Sequence, residues 1–221
     1  MDYIGDPYYT SPGLSSKSGS LIAKTLPKNG NVVYETETAP IIEPVTLAEL
    51  KDFARIKYTA EDTLLEGFIT AARMAAEEYT GRAFISRTIK ALMDYWPGTV
   101  VHLPKPPLIS ITKVATLDED DTETEYDSDN YYIMTGATPG RLILKKGVSA
   151  PSNTSRDYGG FLIRYKAGYG VHPDSVPEGI KEGIKVWVAV IQATRLIDPK
   201  NPPPEARVFL DLYRLVTITM R

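Results

Sequence analysis

The chain has no cysteine and only two histidines, His102 and His172. The first absence excludes disulfides and thiolate metal sites, and it fits a reducing compartment. The histidines lie far apart in sequence and read as surface or turn residues rather than as ligands or a base. Long hydrophobic runs are missing as well. The longest, Val186–Ile191, is far too short to cross a bilayer, and the start, MDYIGDPYY, lacks the basic-then-apolar pattern of a secretory signal. A soluble protein made in the cytoplasm, with no membrane partner, is expected. Positive charge is not in excess: 25 Lys and Arg stand against 28 Asp and Glu, a net −3, which argues against a protein that wraps nucleic acid tightly. No G-x-S-x-G, H-E-x-x-H or P-loop is present. Gly168-Tyr169-Gly170 fails as a nucleotide loop because Pro173 stands where the third glycine belongs, so it reads as a turn from the last strand into a helix. No catalytic residue, metal or cofactor is expected. At 221 residues and 43% hydrophobic, the chain still suffices for one or two modest domains with a real core.

Residues 44–87 are the most informative stretch. Thr46 and Glu49 form a capping box, in which each side chain satisfies a backbone N–H at a helix start. A second helix is expected to start at Thr59, with Asp62 facing the positive end of its dipole. Leu64, Leu65, Phe68, Ile69, Ala72, Ala75, Ala76 and Tyr79 then recur at three- and four-residue steps. Glu66, Thr70, Arg73, Glu77 and Thr80 are assigned to the opposite, polar face. Gly81 is placed for a left-handed C-terminal cap.

The zones around this pair differ in composition. Residues 1–43 hold scattered prolines, a Ser/Gly-rich stretch and tyrosines with no helical period; they read as an extended or disordered N-terminal arm. Residues 87–170 carry two-residue periods and turn signals, predicting strands at Ile89–Tyr95, Val100–Leu103, Leu108–Leu117, Tyr131–Met134, Arg141–Leu144 and Phe161–Lys166. Residues 171–214 return to helix, with Pro177 at its first position and Ser175 or Asp174 as cap. Ile180, Ile184, Trp187, Val188 and Ile191 make one stripe there. Val186, Ala189, Val190 and Ala193 widen it until the helix is apolar nearly all round, as in a central or subunit-contact helix. A short helix around Ala206–Tyr213 follows. Residues 215–221 alternate as a strand without a partner. The fold class is therefore α+β: a small helical bundle in two parts, 44–86 and 171–214, around an inserted antiparallel β region.

The acidic loop at Asp118–Asp127 fails the EF-hand template, since Glu123 replaces the required glycine. It reads as a solvated hairpin tip, and Asp118, Glu119, Asp120, Asp121, Glu123 and Glu125 are candidates to repel phosphate along a DNA passage. Tyr79, Arg82, Trp187, Tyr213 and Arg214 are candidate subunit-interface residues, since arginine and tyrosine are enriched at hot spots. The alternative for each arginine is a solvated side chain lying over its own helix.

PVTLAELKDFARI, LLEGFITAARMAAEEYTGRAFISRT, LPKPPLISITKV, RYKAGYG, VPEGIKEGIKVWVAV and VFLDLYR occur in one order across residues 44–214. The ordered set resembles the head–tail connector (adaptor or head-completion) proteins of tailed bacteriophages, which have relatives in gene transfer agents. The resemblance implies a ring of neighbouring copies, about twelve, in the virion neck. It also implies partners: the portal protein above, a stopper or tail-terminator protein below, and genomic double-stranded DNA passing nearby. The terminal strand Leu215, Val216, Thr217, Ile218, Thr219, Met220 and Arg221 is the candidate portal-binding element, by adding to an exposed sheet edge. The arm departs from the family's compact pattern. Competing readings are a tail-completion or stopper protein, a hydrolase with an acidic site, and a monomeric peptide- or ligand-binding module.

Overall fold

The computed structural model describes residues 32–152 and 156–215. Among these residues, four α-helices and two antiparallel sheets give an α+β fold. The helices are α1 (Leu47–Ala54), α2 (Asp62–Thr80), α3 (Glu178–Thr194) and α4 (Pro204–Leu210). The strands are β1 (Val32–Thr38), β2 (Arg87–Met93), β3 (Val100–Leu103), β4 (Leu108–Leu117), β5 (Glu123–Glu125), β6 (Tyr131–Met134), β7 (Gly140–Leu144) and β8 (Phe161–Ala167). One sheet runs β1-β2-β8-β4-β5 and the other β3-β7-β6.

The helices form where caps and periodicity agree. The Thr46/Glu49 capping box is present, with Glu49 N–H donating to Thr46 Oγ1 at 3.2 Å and Thr46 N–H to Glu49 Oε2 at 2.7 Å. Gly81 ends α2 in the left-handed region, φ 73°. Two expected starts are corrected. The second helix begins at Asp62 after an N-cap at Glu61 that makes no side-chain bond, and the Thr59 carbonyl instead accepts the Asp62 N–H in a turn. Pro177 is the N-cap of α3 rather than its first residue, and Asp174 and Ser175 belong to a 3-10 turn, Pro173–Ser175, instead of capping.

Among the described residues two large hydrophobic cores follow, beside a small cluster of Ala115, Leu117 and Leu162. The first joins α1 and α2 to α3 and α4, so residues before and after the strands share it: Leu65, Ile69 and Phe84 pack with Ile184, Trp187 and Leu210. Burying each such aliphatic or aromatic side chain contributes roughly 1.5–3 kcal/mol. Gly183 lets α4 approach α3 closely, since a Cβ there would stand 2.8 Å from the Leu210 side chain. The second core lies between the sheets, where Ile89, Ala91 and Met93 point inward as the two-residue period requires. The strand ends at Met93; Tyr95 is exposed.

Part of the N-terminal zone is structured. Residues 32–38 form β1, an edge strand paired antiparallel with β2 from Val32↔Met93 to Thr38↔Thr88. It escaped a pattern reading because six of its seven residues are exposed, leaving no buried alternation to detect. Residues 1–31 lie outside the described residues. The α3 stripe of Ile180, Ile184, Trp187, Val188 and Ile191 is buried. Its second apolar strip is only covered in part: Val186, Ala189 and Val190 are half-buried and Ala193 is exposed. The helix is therefore not central, and it keeps an apolar margin.

Candidate interface surfaces

The polar face expected on α2 is the main correction. Arg73, Glu77 and Thr80 are buried, at 6%, 5% and 0% exposure. Glu77 is a hub: Arg73 Nη1 donates to its Oε2 at 3.0 Å, the Phe84 N–H to its Oε1 at 2.9 Å, and Arg87 Nη2 also to Oε1. Arg73 Nε reaches Glu43 Oε2 at 2.6 Å. Thr80 Oγ1 returns its proton to the Ala76 carbonyl, 2.7 Å away. Burial works against the charge of Arg73, but the hydrogen bond to Glu43 and the charges of Glu77 and Glu43 prevail, and its pKa is raised. A buried charge survives only if it is paired and hydrogen-bonded, and here each one is. The hub ties together the chain ahead of α1, the helix α2, the 81–86 connector and the strand β2. An i,i+4 Arg–Glu pair followed ten residues on by Arg87 was the available signal.

Four of the five interface candidates meet within the chain. The Tyr79 hydroxyl donates to Asp211, Arg214 lies over the Tyr79 ring at 4.7 Å, and Arg82 Nε donates to the Tyr213 carbonyl at 2.5 Å. The Asp211 bond raises the Tyr79 pKa. Leu215 N–H donates to the Thr80 carbonyl at 2.9 Å, and the Leu215 side chain rests against Gly81. This clasp fixes the point from which the tail departs. Trp187, the fifth candidate, is corrected: at 1% exposure it is a core residue of its own subunit and offers no surface. Of the tail candidates, Leu215 is described; Val216, Thr217, Ile218, Thr219, Met220 and Arg221 lie outside the described residues.

The acidic stretch is a hairpin between β4 and β5. Its carboxylates divide by task. Asp118 accepts the N–H groups of Asp120 and Thr122 at 3.0 and 2.8 Å, which shapes the turn. Asp121 pairs with Arg156. Glu123 pairs with Lys113 at 2.6 Å and Arg164 at 3.3 Å, and the hydrogen bond from Lys113, against a smaller effect of burial, lowers its pKa. Glu119, Asp120 and Glu125 are exposed. His102 and His172 are exposed and distant in sequence.

The hollows are open and shallow in chemistry. One of about 510 Å³ lies between the Ile42–Leu47 strap and α2, lined by Val45, Leu47 and Ile69 with Glu43 and Glu66 at its margin. Among the described residues no group of three or more His, Asp or Glu is arranged to hold a metal ion, and no helix is long and apolar enough to cross a membrane.

Residues 44–132 match the family model described as Phage gp6-like head-tail connector protein, so the resemblance read from the sequence is shown. None of the curated proteins matches the chain. Among solved structures, a chain from the neck of an empty gene transfer agent (GTA) particle, computed with C6 symmetry, superposes with a TM-score of 0.72 at 22% identity, covering 84% of this chain and 97% of the other. A chain from the virion of a native GTA particle gives 0.71, and one from the neck of a native GTA particle computed with C12 symmetry gives 0.69, with the same identity and coverage. This protein therefore shares its fold with chains of GTA particle necks.

Proposed function

We propose that the protein is a structural head–tail connector, a non-enzymatic virion component that assembles as a ring beneath the portal. The ring extends the DNA channel and offers a platform to the stopper or tail. What carries this reading is the agreement of two findings: a connector family match over residues 44–132 and a neck-protein fold over 84% of the chain. The ring of copies is supported by the cyclic symmetry of the neck structures the chain resembles. Residues 44–86 and 171–214 act as a helical bundle, 87–170 as the inserted β region, 1–43 as an arm whose last part joins the sheet, and 215–221 as the tail.

Many modest contacts made together around a ring bind nearly irreversibly. The tail suits such docking. Leu215 is held at Thr80 and Gly81, and the alternating Val216, Ile218 and Met220 would add as a strand to a portal sheet edge. Deleting residues 216–221 keeps the Leu215 anchor. The truncated chain is expected to fold as before, by circular dichroism, and to lose co-sedimentation with its portal. Undiminished portal binding would refute the tail's role.

A further inference from the structure

Among the described residues, the β3–β7–β6 sheet buries one face and leaves the other largely uncovered. Val101, Leu103, Leu142, Leu144 and Tyr131 enter the strand core. Residues directly opposed in an antiparallel pair share a face. The register therefore sets Val100, Ile143 and Tyr132 in one outward row and His102, Arg141 and Met134 in the next. Tyr132 is 58% exposed and Met134 46%, on an edge strand. The three strands contain no aspartate or glutamate. Arg141, at the centre of its row, has no ion pair among the described residues, and its Nε is buried without an acceptor. Lys145 stands 5.1 Å from the Tyr132 ring centre. The face thus combines apolar surface with an unanswered guanidinium.

The β4–β5 hairpin offers the complement. Asp118, Asp121 and Glu123 are engaged within the chain. Glu119 and Asp120 are exposed at the tip, with no ion pair among the described residues. The exposed carboxylates of Glu119 and Asp120 and the Arg141 guanidinium on its apolar face are complementary in charge, and pairing them offsets the desolvation each incurs on contact.

We propose that the β4–β5 tip of one copy docks on the β3–β7–β6 face of the next, with Glu119 and Asp120 meeting Arg141 and Lys145. Two different patches then meet, a heterologous contact that repeats around a ring instead of ending at a pair. This rests on the ring reading above and names its contact. It also moves Glu119 and Asp120 from the DNA passage to the subunit boundary.

The chain has no cysteine, so one introduced cysteine per variant reports a contact cleanly. Asp120→Cys and Met134→Cys proteins, mixed under mild oxidant where the unaltered protein forms rings, are expected to give disulfide-linked heterodimers. In native mass spectrometry, Arg141→Glu and the double variant E119R/D120R are each expected to raise the concentration for half-assembly at least about tenfold. An equimolar mixture of the two is expected to restore rings, because every copy then meets a complementary neighbour. Glu119 and Asp120 are exposed and Arg141 is half-buried, and unchanged thermal unfolding confirms that both variants fold. Unaltered assembly of both variants, or no cross-link while rings form, overturns the contact and leaves the ring reading intact. A protein that stays monomeric at every concentration, alone and with portal, overturns both.

Discussion

Glu77→Ala is the most severe test of the hub. Glu77 is 5% exposed and accepts from two guanidinium groups and one backbone N–H. Its removal leaves Arg73 with Glu43 but strips Arg87 of its carboxylate partner; only a 3.4 Å bond from Arg87 Nε to the Ile85 carbonyl remains. Breaking one partner of a buried pair costs about 3–5 kcal/mol. The orphaned Phe84 N–H belongs to the same loss and is not added separately. Against a typical total of about 5–15 kcal/mol, this is a large fraction. For a chain of this size it lowers the melting temperature by roughly 6–20 °C, at about 2–4 °C per kcal/mol. The two tryptophans make the assay specific. Trp187 sits in the helical core and Trp96 packs against the sheet core. Urea unfolding of the single-tryptophan variants W96F and W187F should show one shared transition in the parent. With Glu77→Ala added, the Trp187 transition should move to lower urea ahead of the Trp96 transition. A loss under about 1 kcal/mol, the range of a solvent-exposed ion pair, refutes the claim that this face of α2 is a buried joint.

Two further outcomes are expected. Gly168 has φ +130°, and a Cβ there would stand 2.7 Å from the backbone of Ile85 and Ser86. Gly168→Ala combines strain and overpacking, about 2–6 kcal/mol in all, and should break the parallel bridge Ile85↔Gly170, seen as reduced soluble yield and earlier thermal unfolding. The lowered pKa of Glu123 contributes stability that is present above its unfolded pKa and lost as pH falls through the lower folded value. Acid titration below about pH 4 should therefore destabilise the parent more than Glu123→Gln, whose melting temperature should depend less on pH across that window.

Strands and helices were legible where one period dominated. The outward row of Val100 and His102 and the inward row of Val101 and Leu103 follow directly from alternation, and the buried stripe of α3 from three- and four-residue steps. Arg73 and Glu77 were not legible as core because a helix pressed between another helix and a connector buries more than its apolar arc. Charged residues at the margin of that arc are then enclosed whenever partners reach them, and Glu43 and Arg87 come from thirty residues before Arg73 and ten after Glu77. The helix start at Thr59 failed for a local reason: the Thr59 carbonyl closes a turn, and nothing in the pattern separates a turn from a first helical residue. The interface candidates came from residue type alone. Type finds Tyr79, Arg82 and Arg214, but it cannot tell an anchor for a neighbour from a clasp within one chain, and it placed Trp187 on a surface it never reaches.

A ring sets a stricter demand than a pair, because small angular errors accumulate around it. If twelve copies close, each contact turns the next copy by about 30°, and an error of about 2° per contact opens a gap of most of a subunit. The proposed contact meets this demand because its two halves, the β4–β5 tip and the β3–β7–β6 face, stand on sheets that share a single buried core. The angle between them is then fixed by packing rather than by a linker. The helical core, joined to the β region through Glu77 and the Ile85↔Gly170 bridge, is carried at a fixed attitude by the same construction. A loosened hub should therefore broaden the distribution of ring sizes before it abolishes assembly, which mass analysis of Glu77→Gln assemblies can read directly.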